Sequence, residues 1–381
     1  MSIQTPTFPV APAAPPVIEK EDRSDYAPQW QLIWWKFRKH KLAVISAVLL
    51  VLLYLAAIFA NFVAPYDPQT RFDGQQQQPP TPIRWVHNGS FYGPLIYGTK
   101  RKADPKTFKF IFVPDETKPI PIRLFATGEP YKLLGFIPSD VHLLGTGKGN
   151  PPVFLIGTDR LGRDLFSRVI HGARLSLSIP FVGIILIFFI GLLLGGLSGF
   201  FGGIVDEIVQ RLIDFIQAVP VIPLWISLAA ALPRSWSTEK TFLAITVILS
   251  IVGWTGLARV VRGKILQLRE EDYTLAAQCA GASEARIIFR HLLPGFTSHL
   301  IVSLTNAVPA SILGETALSY IGLGMQPPAI SWGVLLQDSQ NLVAIAQQVW
   351  LLIPALFVIA TGLLFSFVGD GLRDAADPYT R

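Results

Sequence analysis

The stretch Tyr273-Thr-Leu-Ala-Ala-Gln-Cys-Ala-Gly-Ala-Ser-Glu-Ala-Arg-Ile-Ile-Phe-Arg-His-Leu-Leu-Pro294 is the most informative part of this chain. It is charged and amphipathic, and it lies between two long apolar segments, residues 241–258 and 300–323. Apolar segments of about 20 residues are long enough to cross a bilayer as helices. A polar segment between two such helices must meet water or a partner protein, so we expect residues 273–294 at a membrane surface.

The composition of the whole chain is that of a membrane protein. Of its 381 residues, 51% are hydrophobic and 15% are charged, and the mean hydropathy is +0.44. A soluble domain carries about 25% charged residues. The net charge of +6 fits basic residues beside the cytoplasmic ends of the spans, and we do not expect nucleic-acid binding. The single cysteine, Cys279, excludes a disulfide within the chain.

Long apolar segments predict six transmembrane helices with both termini in the cytoplasm. Basic residues just before the first span and within the loop 259–298 both favour this orientation. Pro220 and Pro223 are expected to bend the third span. The predicted fold is an all-α polytopic membrane protein. Its expected spans are residues 42–63, 175–205, 215–233, 241–258, 300–323 and 349–368.

The chain divides into four parts. Residues 1–41 are expected to form a cytoplasmic N-terminal tail that ends in an interfacial helix, because aromatic and basic residues alternate there. Residues 42–63 are the first transmembrane helix. Residues 64–170 are polar, and short apolar runs within them predict a small, partly β extracytoplasmic insertion. Residues 171–381 complete the core with five further helices and the cytoplasmic loop 259–298.

Glycines recur every four residues along the second span. This spacing places them on one stripe of a helix, where the absence of side chains lets a second helix approach closely. We therefore interpret the stripe as a helix-packing surface. Its members are Gly191, Gly195, Gly199 and Gly203.

Motifs for chemistry are weak in this chain. A phosphate-binding loop needs Gly-x4-Gly-Lys-Ser/Thr, and the nearest fragment, Gly145-Thr-Gly-Lys-Gly149, lacks the final hydroxyl and lies in the insertion. Gly196-Leu-Ser-Gly199 resembles the Gly-x-Ser-Gly of intramembrane serine proteases, but no histidine lies in mid-span to activate Ser198. No spacing of histidines and carboxylates suits a metal. We expect no catalytic residue, no metal site, no cofactor and no enzyme activity.

Glu315 is a carboxylate well inside an apolar span. An ionisable group in such a place is by default a functional candidate. It either contacts a transported solute or braces its helix near the break at Pro309, and we favour bracing. Glu315 and Ser319 are the candidate residues of a translocation path.

Several further motifs occur in order along the chain. They include Gly157-Thr-Asp-x-x-Gly-Arg-Asp164, Glu315-Thr-Ala-Leu-Ser-Tyr-Ile-Gly-Leu-Gly324 and the closing Gly369-Asp-x-Leu-Arg-Asp-x-x-Asp-Pro378. These motifs resemble those of dipeptide/oligopeptide/nickel-type ABC-importer permeases, and among them the second-permease type with a long first external loop. The Ala-Ala-x3-Gly-x11-Leu-Pro spacing within 273–294 resembles the loop by which such permeases dock on their ATPase. Leu275 stands where the glutamate of that motif usually lies.

The resemblance implies a six-helix importer-permease fold in a bacterial inner membrane, and import of peptides or similar small solutes by alternating access. It implies a second homologous permease subunit, two cytoplasmic ATPase subunits and an extracytoplasmic solute-binding protein as partners. In the docking loop, small alanines suit a contact face, glycine suits a sharp turn, and proline is expected to end the segment. The candidate docking residues are Tyr273, Ala276, Ala277, Gly281, Ala282, His291 and Pro294.

Two alternative functions and the identity of the solute stay open at this point. An ion-coupled secondary transporter would show inverted repeats and several carboxylates within its spans. The transported solute is also open, because related systems carry nickel, opines or small saccharides. An intramembrane protease is the least favoured alternative.

Overall fold

The computed structural model describes residues 29–103, 110–341 and 346–376. Residues 1–28 of the expected N-terminal tail and the final Asp377-Pro378 of the closing motif lie outside these ranges. The helices are α1 (Gln29–Lys39), α2 (Lys41–Ile58), α3 (Ala60–Val63), α4 (Leu165–Phe201), α5 (Gly203–Ala218), α6 (Val221–Ala230), α7 (Thr238–Arg269), α8 (Asp272–Cys279), α9 (Glu284–Arg286), α10 (Leu293–Gly295), α11 (Thr297–Ile321), α12 (Trp332–Leu336) and α13 (Ile353–Ala376), with a π-helical turn at Ile287–Leu292 and 3₁₀ turns at Gln337–Ser339 and Val349–Leu352.

Within the described ranges, five helices are long and apolar enough to cross a membrane. They are α2, α4, α7, α11 and the helical segment Val349–Ala376. Helices α5 and α6 meet the same criterion only as a pair, and they meet at an angle of 84°. The prediction of an all-α polytopic membrane fold is therefore confirmed, with five continuous candidate spans and a sixth candidate made of the bent pair α5 and α6.

The predicted third span, residues 215–233, is not one bent helix. Helix α5 ends at Ala218, and Val219 adopts extended backbone with φ −89° and ψ 130°. Pro220 explains the break, because it has no N–H to donate and its ring disfavours helical backbone at the residue before it. The sequence predicted a bend here, but the change of direction is much sharper.

The second span begins earlier than predicted. Helix α4 starts at Leu165, ahead of the predicted start of the span at 175 and within the residues 64–170 that were assigned to the insertion. Asp164 caps the helix, since its carboxylate accepts a 2.8 Å hydrogen bond from the N–H of Ser167. The first turns carry Arg168 and Arg174, whose charges hid this part of the helix from a hydropathy criterion.

The insertion contains all five strands of the described ranges, and all of them pair antiparallel. One sheet has the order β1-β2-β3, and a separate hairpin joins β4 to β5. The insertion lies between α3 and α4 in the chain, where the sequence predicted a partly β structure. The strands are β1 (Arg84–His87), β2 (Ser90–Ala103), β3 (Phe110–Pro121), β4 (Arg123–Leu133) and β5 (Ile137–Gly145).

Helices α4 and α7 pack closely along the glycine stripe. A methyl group built on Gly195 would lie 2.5 Å from the carbonyl oxygen of Ala258, and one on Gly191 would lie 2.9 Å from Leu257. Gly199 would meet the carbonyl oxygen of Arg262 at 2.9 Å. These distances are shorter than van der Waals contact, so the backbones can approach this closely only where the α4 side chains are absent.

Gly203 departs from the predicted stripe. Helix α4 ends at Phe201, and Gly202 has a φ of 66°, which turns the chain away before Gly203. Gly203 itself has a φ of 52° and begins α5, with open space where its side chain would stand. Its role is a backbone turn and not helix contact.

Ser198, the candidate protease nucleophile, is buried at this end of α4. Its hydroxyl donates a 2.5 Å hydrogen bond to Asp206 and accepts one from the side chain of Gln210. Asp206 in turn binds Arg262 of α7 through contacts of 2.5 and 2.6 Å. Ser198 thus belongs to a network that connects α5 to α4 and α7. The acceptor of its hydrogen bond is a carboxylate and not a histidine.

Gly195→Ala tests the helix contact. The added methyl group has no room beside Ala258, and overpacking of this kind costs about 1–3 kcal/mol. We expect a lower midpoint of thermal unfolding, measured on the purified protein in detergent. The neighbouring Gly196→Ala is the matched control, since its methyl group would meet only Ile265 at 3.9 Å. Equal midpoints for the two variants would contradict the packing role.

Candidate functional site

The loop between α7 and α11 begins with a fixed connection. Thr274 is fully buried, and its hydroxyl donates a 2.8 Å hydrogen bond to the carbonyl of Leu268 in the last turn of α7. That carbonyl also accepts the N–H of Glu271 at 3.3 Å, so the threonine adds a side-chain bond at a helix end. Helix α8 is therefore held to the end of α7 by its first turn.

Gly281 ends α8 with a two-bond motif. Its φ is +76°, a conformation that favours glycine. The N–H of Gly281 donates to the carbonyl of Gln278 at 2.9 Å, and the N–H of Ala282 donates to that of Ala277 at 3.0 Å. This pair of bonds is the Schellman motif, which satisfies the last carbonyls of a helix and reverses the chain. Residues 272–295 thus form a helix–turn–helix.

Pro294 does not end the segment at its own position. It lies in α10, and the helical path continues to Gly295. The chain changes direction at Phe296, where φ is −126°, and α11 then begins at Thr297. The proline lacks an N–H, and the turn before it is π-helical, with the N–H of Leu293 bonded to the carbonyl of Ile288.

The inner face of the segment is anchored in an apolar cluster. Ile287, Leu292 and Phe296 are buried against Ile265 of α7. Ala277 and Ala282 are partly buried at the edge of the same cluster. Since these contacts join the segment to α7, a force applied to the segment is transmitted to the helix.

Three apolar side chains of the segment are exposed, among charged ones that include Glu284, Arg286 and Arg290. Tyr273 is 44% exposed, Leu275 46% and Phe289 63%. Exposed apolar side chains of this kind are available for contact with a partner or with lipid. Of the candidate docking residues, Tyr273, Ala276, Gly281 and Pro294 are exposed, and Ala277, Ala282 and His291 are partly buried.

A second polar site surrounds Glu315 within the membrane region. The carboxylate is fully buried and accepts a 2.8 Å hydrogen bond from Ser319 of the next turn. Ser176 of α4 donates to its other oxygen at 3.4 Å. Each serine also accepts a backbone N–H, from Met325 for Ser319 and from Trp332 for Ser176. Glu315 therefore links α11 to α4 and to the segment that precedes α12.

These contacts match the bracing interpretation of Glu315. The structure brings Glu315 and Ser319 together, and both side chains lie in the interior of this chain. Their membership of a translocation path stays a prediction. Sequence reasoning did not single out Ser176, which lies near the start of the predicted second span. It also missed Thr274, whose only signal was a hydroxyl in the first turn of α8.

The motif segment 157–168 forms a buried polar cluster at the start of α4. Asp159 binds Arg163 at 2.7 Å and also pairs with Arg168. Arg160 pairs with Asp338 at 2.9 Å, so the cluster joins the region before α13. Asp164 is enclosed at the same place, and burial raises the pKa of its carboxyl to about 6.

Comparison with known proteins identifies the family. Residues 187–381 match the family described as binding-protein-dependent transport system inner membrane component, and residues 28–80 match the N-terminal transmembrane domain of oligopeptide transport permease C. The first match covers half of the chain. This chain belongs to the family of binding-protein-dependent transport system inner membrane components.

The permease has relatives over nearly its whole length. It is 32% identical to the oligopeptide transport system permease protein OppC of Bacillus subtilis, over 92% of this chain and 90% of the relative. It is 40% identical to the dipeptide transport system permease protein DppC of the same organism, over 59% of this chain and 68% of the relative. It is 30% identical to the glutathione transport system permease protein GsiD of Pectobacterium atrosepticum, over 95% of this chain and 94% of the relative.

A solved structure of an inward-facing MetNI methionine ABC transporter also matches the permease. The sequence identity is 19% and the TM-score is 0.43, over 55% of this chain and 96% of that chain.

Glu315→Ala and Glu315→Gln separate bracing from solute contact. Alanine leaves the hydroxyls of Ser176 and Ser319 without their acceptor, at a cost of about 1–3 kcal/mol, so we expect a lower unfolding midpoint. Glutamine keeps an acceptor oxygen, and we expect transport with an unchanged solute range. A changed solute range in the glutamine variant would instead place Glu315 in the path.

Asp164→Asn tests the buried carboxyl. Its pKa is raised from 3.8 to about 6 in the folded protein, so protonation stabilises the fold below pH 4, and this stabilisation disappears as the pH rises through 6. A shift of this size corresponds to about 3 kcal/mol. Asparagine keeps the helix cap, so its unfolding midpoint should be at least that of the wild type at pH 7.

The control for this experiment is Asp73→Asn at an exposed aspartate of the insertion. Between pH 7 and pH 5 we expect the wild type and the control to gain stability relative to Asp164→Asn. Parallel pH profiles of all three proteins would show that the Asp164 carboxyl does not titrate in this window.

Proposed function

We propose that this permease is the transmembrane subunit of an ATP-driven importer that moves peptides or similar small solutes into the cytoplasm by alternating access. The observation that carries the proposal is the helix–turn–helix 272–295, which an apolar cluster anchors to α7 and which exposes Tyr273, Leu275 and Phe289. Peptides are proposed as the solute class because the relatives are named for oligopeptide, dipeptide and glutathione transport.

The docking segment 273–294 would lie in a groove of an ATPase subunit. An amphipathic helix in an apolar groove is a common mode of recognition. Movement of the ATPase would pass from α8 to α7 through the Thr274–Leu268 hydrogen bond and the apolar cluster. It would pass from α7 to α4 along the glycine contacts. The Glu315 cluster then joins α4 to α11.

The proposed assembly contains a second homologous permease subunit, two cytoplasmic ATPase subunits and an extracytoplasmic solute-binding protein. ATP hydrolysis would occur in the ATPase subunits, and this chain would carry no chemistry. The protein would lie in the bacterial inner membrane. Both termini would lie in the cytoplasm, and residues 64–164 would lie on the extracytoplasmic side. The basic residues of the loop 259–298 support this orientation.

The contacts of Glu315 favour this function over ion-coupled transport. A coupling carboxylate must be able to release its partners when it binds an ion, and it lies where the path reaches it. Glu315 is enclosed and bonded to two serines whose hydroxyls also accept backbone N–H groups. These hydrogen bonds give Glu315 a structural role.

Ala276→Arg tests docking. Arginine at this exposed small residue would separate the two proteins, and loss of a central contact costs about 2 kcal/mol, or roughly 30-fold in affinity. We expect weaker binding to the purified ATPase subunits and loss of ATP hydrolysis stimulated by a peptide-loaded binding protein. Thr117→Arg, on an exposed position of β3, is the matched control and should retain both.

The native Cys279 provides a second readout, since it is exposed on α8. Its reaction with a maleimide should slow when the ATPase subunits are bound. Transport that continues without ATP and stops when the proton gradient is removed would overturn the proposed function in favour of a secondary transporter.

A further inference from the structure

The two hairpins of the insertion each turn through a pair of residues with positive φ, but the first residue of the pair differs in chemistry. Between β1 and β2, Asn88 and Gly89 have φ values of 49° and 82°. Between β4 and β5, Leu134 and Gly135 have φ values of 50° and 87°. Two consecutive positive φ values are typical of type I′ turns, for which Asn-Gly is the favoured pair. A bulky residue such as leucine at a positive φ is a genuine outlier.

The apolar side chains of the second hairpin point away from the protein. Leu134 is 49% exposed, and Phe136 beside it is 70% exposed. Phe125 on β4 is 64% exposed and also has a positive φ, of 53°. Two of the four non-glycine residues with positive φ in the described ranges are thus exposed, bulky and apolar, and both lie in this hairpin. Leu134 and Phe125 both remain largely exposed in this chain.

Hydrogen bonds place this hairpin beside the end of the first span. The side-chain amide of Asn61 donates to the carbonyl of Lys132 at 3.0 Å, two residues before Leu134. The rings of Phe62 and Phe125 lie 6.1 Å apart, and a ring nitrogen of His142 lies 2.6 Å from the carbonyl of Ala64. The hairpin therefore lies alongside α3, which follows α2 directly.

The length of α2 gives the level of this contact relative to the bilayer. It has 18 residues, which at about 1.5 Å per residue span about 27 Å. The hydrocarbon core of a bilayer is about 30 Å thick. Asn61 is therefore at the level where the hydrocarbon ends, and the tip of the hairpin lies at the same level.

The hairpin tip lies beside the end of a span whose own surface is apolar and exposed. Helix α2 exposes Ile45, Leu52 and Ile58 along its length, with no cover from this chain. The tip adds exposed apolar side chains at the end of that span, and the exposed Lys132 next to it complements the phosphates of lipid headgroups. A mixed apolar and cationic edge is typical of elements that lie in the interfacial plane.

We propose that the hairpin tip, residues 132–137, inserts into the boundary between headgroups and acyl chains of the leaflet on its side of the bilayer. It serves as a lipid anchor that holds the insertion against the membrane. The lipid covers Leu134, Phe136 and Phe125, which the protein leaves open. This inference depends on the described contacts and not on the ATP-driven mechanism.

A depth measurement tests the anchor. In the Cys279→Ser background, which has no other cysteine, Phe136→Cys is labelled with an environment-sensitive fluorophore, and the full-length permease is studied in lipid nanodiscs with and without its partner subunits. We expect blue-shifted emission, strong quenching by lipids with a spin label near the headgroup, and little quenching by iodide. Lys118→Cys, exposed on β3, is the control and should show the reverse.

Two results would overturn the proposal. A label at residue 136 that iodide quenches as strongly as the control would place the tip in water. A label protected from both iodide and spin-labelled lipid would place it under a protein partner. Only quenching by the lipid supports the anchor.

Leu134→Asn separates anchoring from turn formation. Asparagine is the favoured residue in this turn, so we expect an unchanged or higher unfolding midpoint in detergent, together with weaker lipid quenching of the label at residue 136. A clear loss of stability in detergent would show that Leu134 serves the protein interior, and would contradict the anchor.

Discussion

The close contact of α4 with α7 is the constraint on which the rest of the structure depends. At Gly195 and Gly199 the backbones approach to a distance that no side chain would allow, and at Gly191 the side chain of Leu257 fills the space. The two helices have 37 and 32 residues, so this contact sets the relative position of elements far apart in the chain. The loop 272–295 is attached to one end of α7, and the Glu315 cluster is attached to α4.

Buried polar groups fix the remaining helices at specific positions. Glu315 joins α11 to α4. The pair of Asp159 and Arg168 fixes the segment before α4 to the first turn of that helix. A buried charge without a partner is strongly unfavourable, so each of these groups permits only the arrangement in which its partners are present. The apolar contacts between spans have no such direction, because lipid is as apolar as the helices. The polar clusters therefore supply the specificity that hydrophobic burial does not supply in a membrane.

Sequence reasoning succeeded where the determinant is local. Apolar runs predicted the spans, and Gly281 in the quoted stretch predicted the turn after α8, because only glycine accepts that backbone readily. It failed at element boundaries. The start of α4 was missed because Arg168 and Arg174 are charged. In the folded chain Arg168 pairs with Asp159, and Arg174 donates to the carbonyl of Ala57. Gly203 fitted the four-residue spacing, but a turn at Gly202 removes it from the helix.

The sequence by itself determined the class of the protein, the number of its apolar segments and the amphipathic loop between two of them, since these follow from composition and from spacing along the chain. The tertiary structure alone decided that the α5–α6 segment turns by 84°, that Glu315 is enclosed by serines, and that an apolar hairpin lies beside the end of the first span. The last two depend on groups that are distant in sequence and meet only after folding, whereas the 84° turn follows the local break at Pro220. Residue patterns record what one segment prefers, and not which other segment satisfies it.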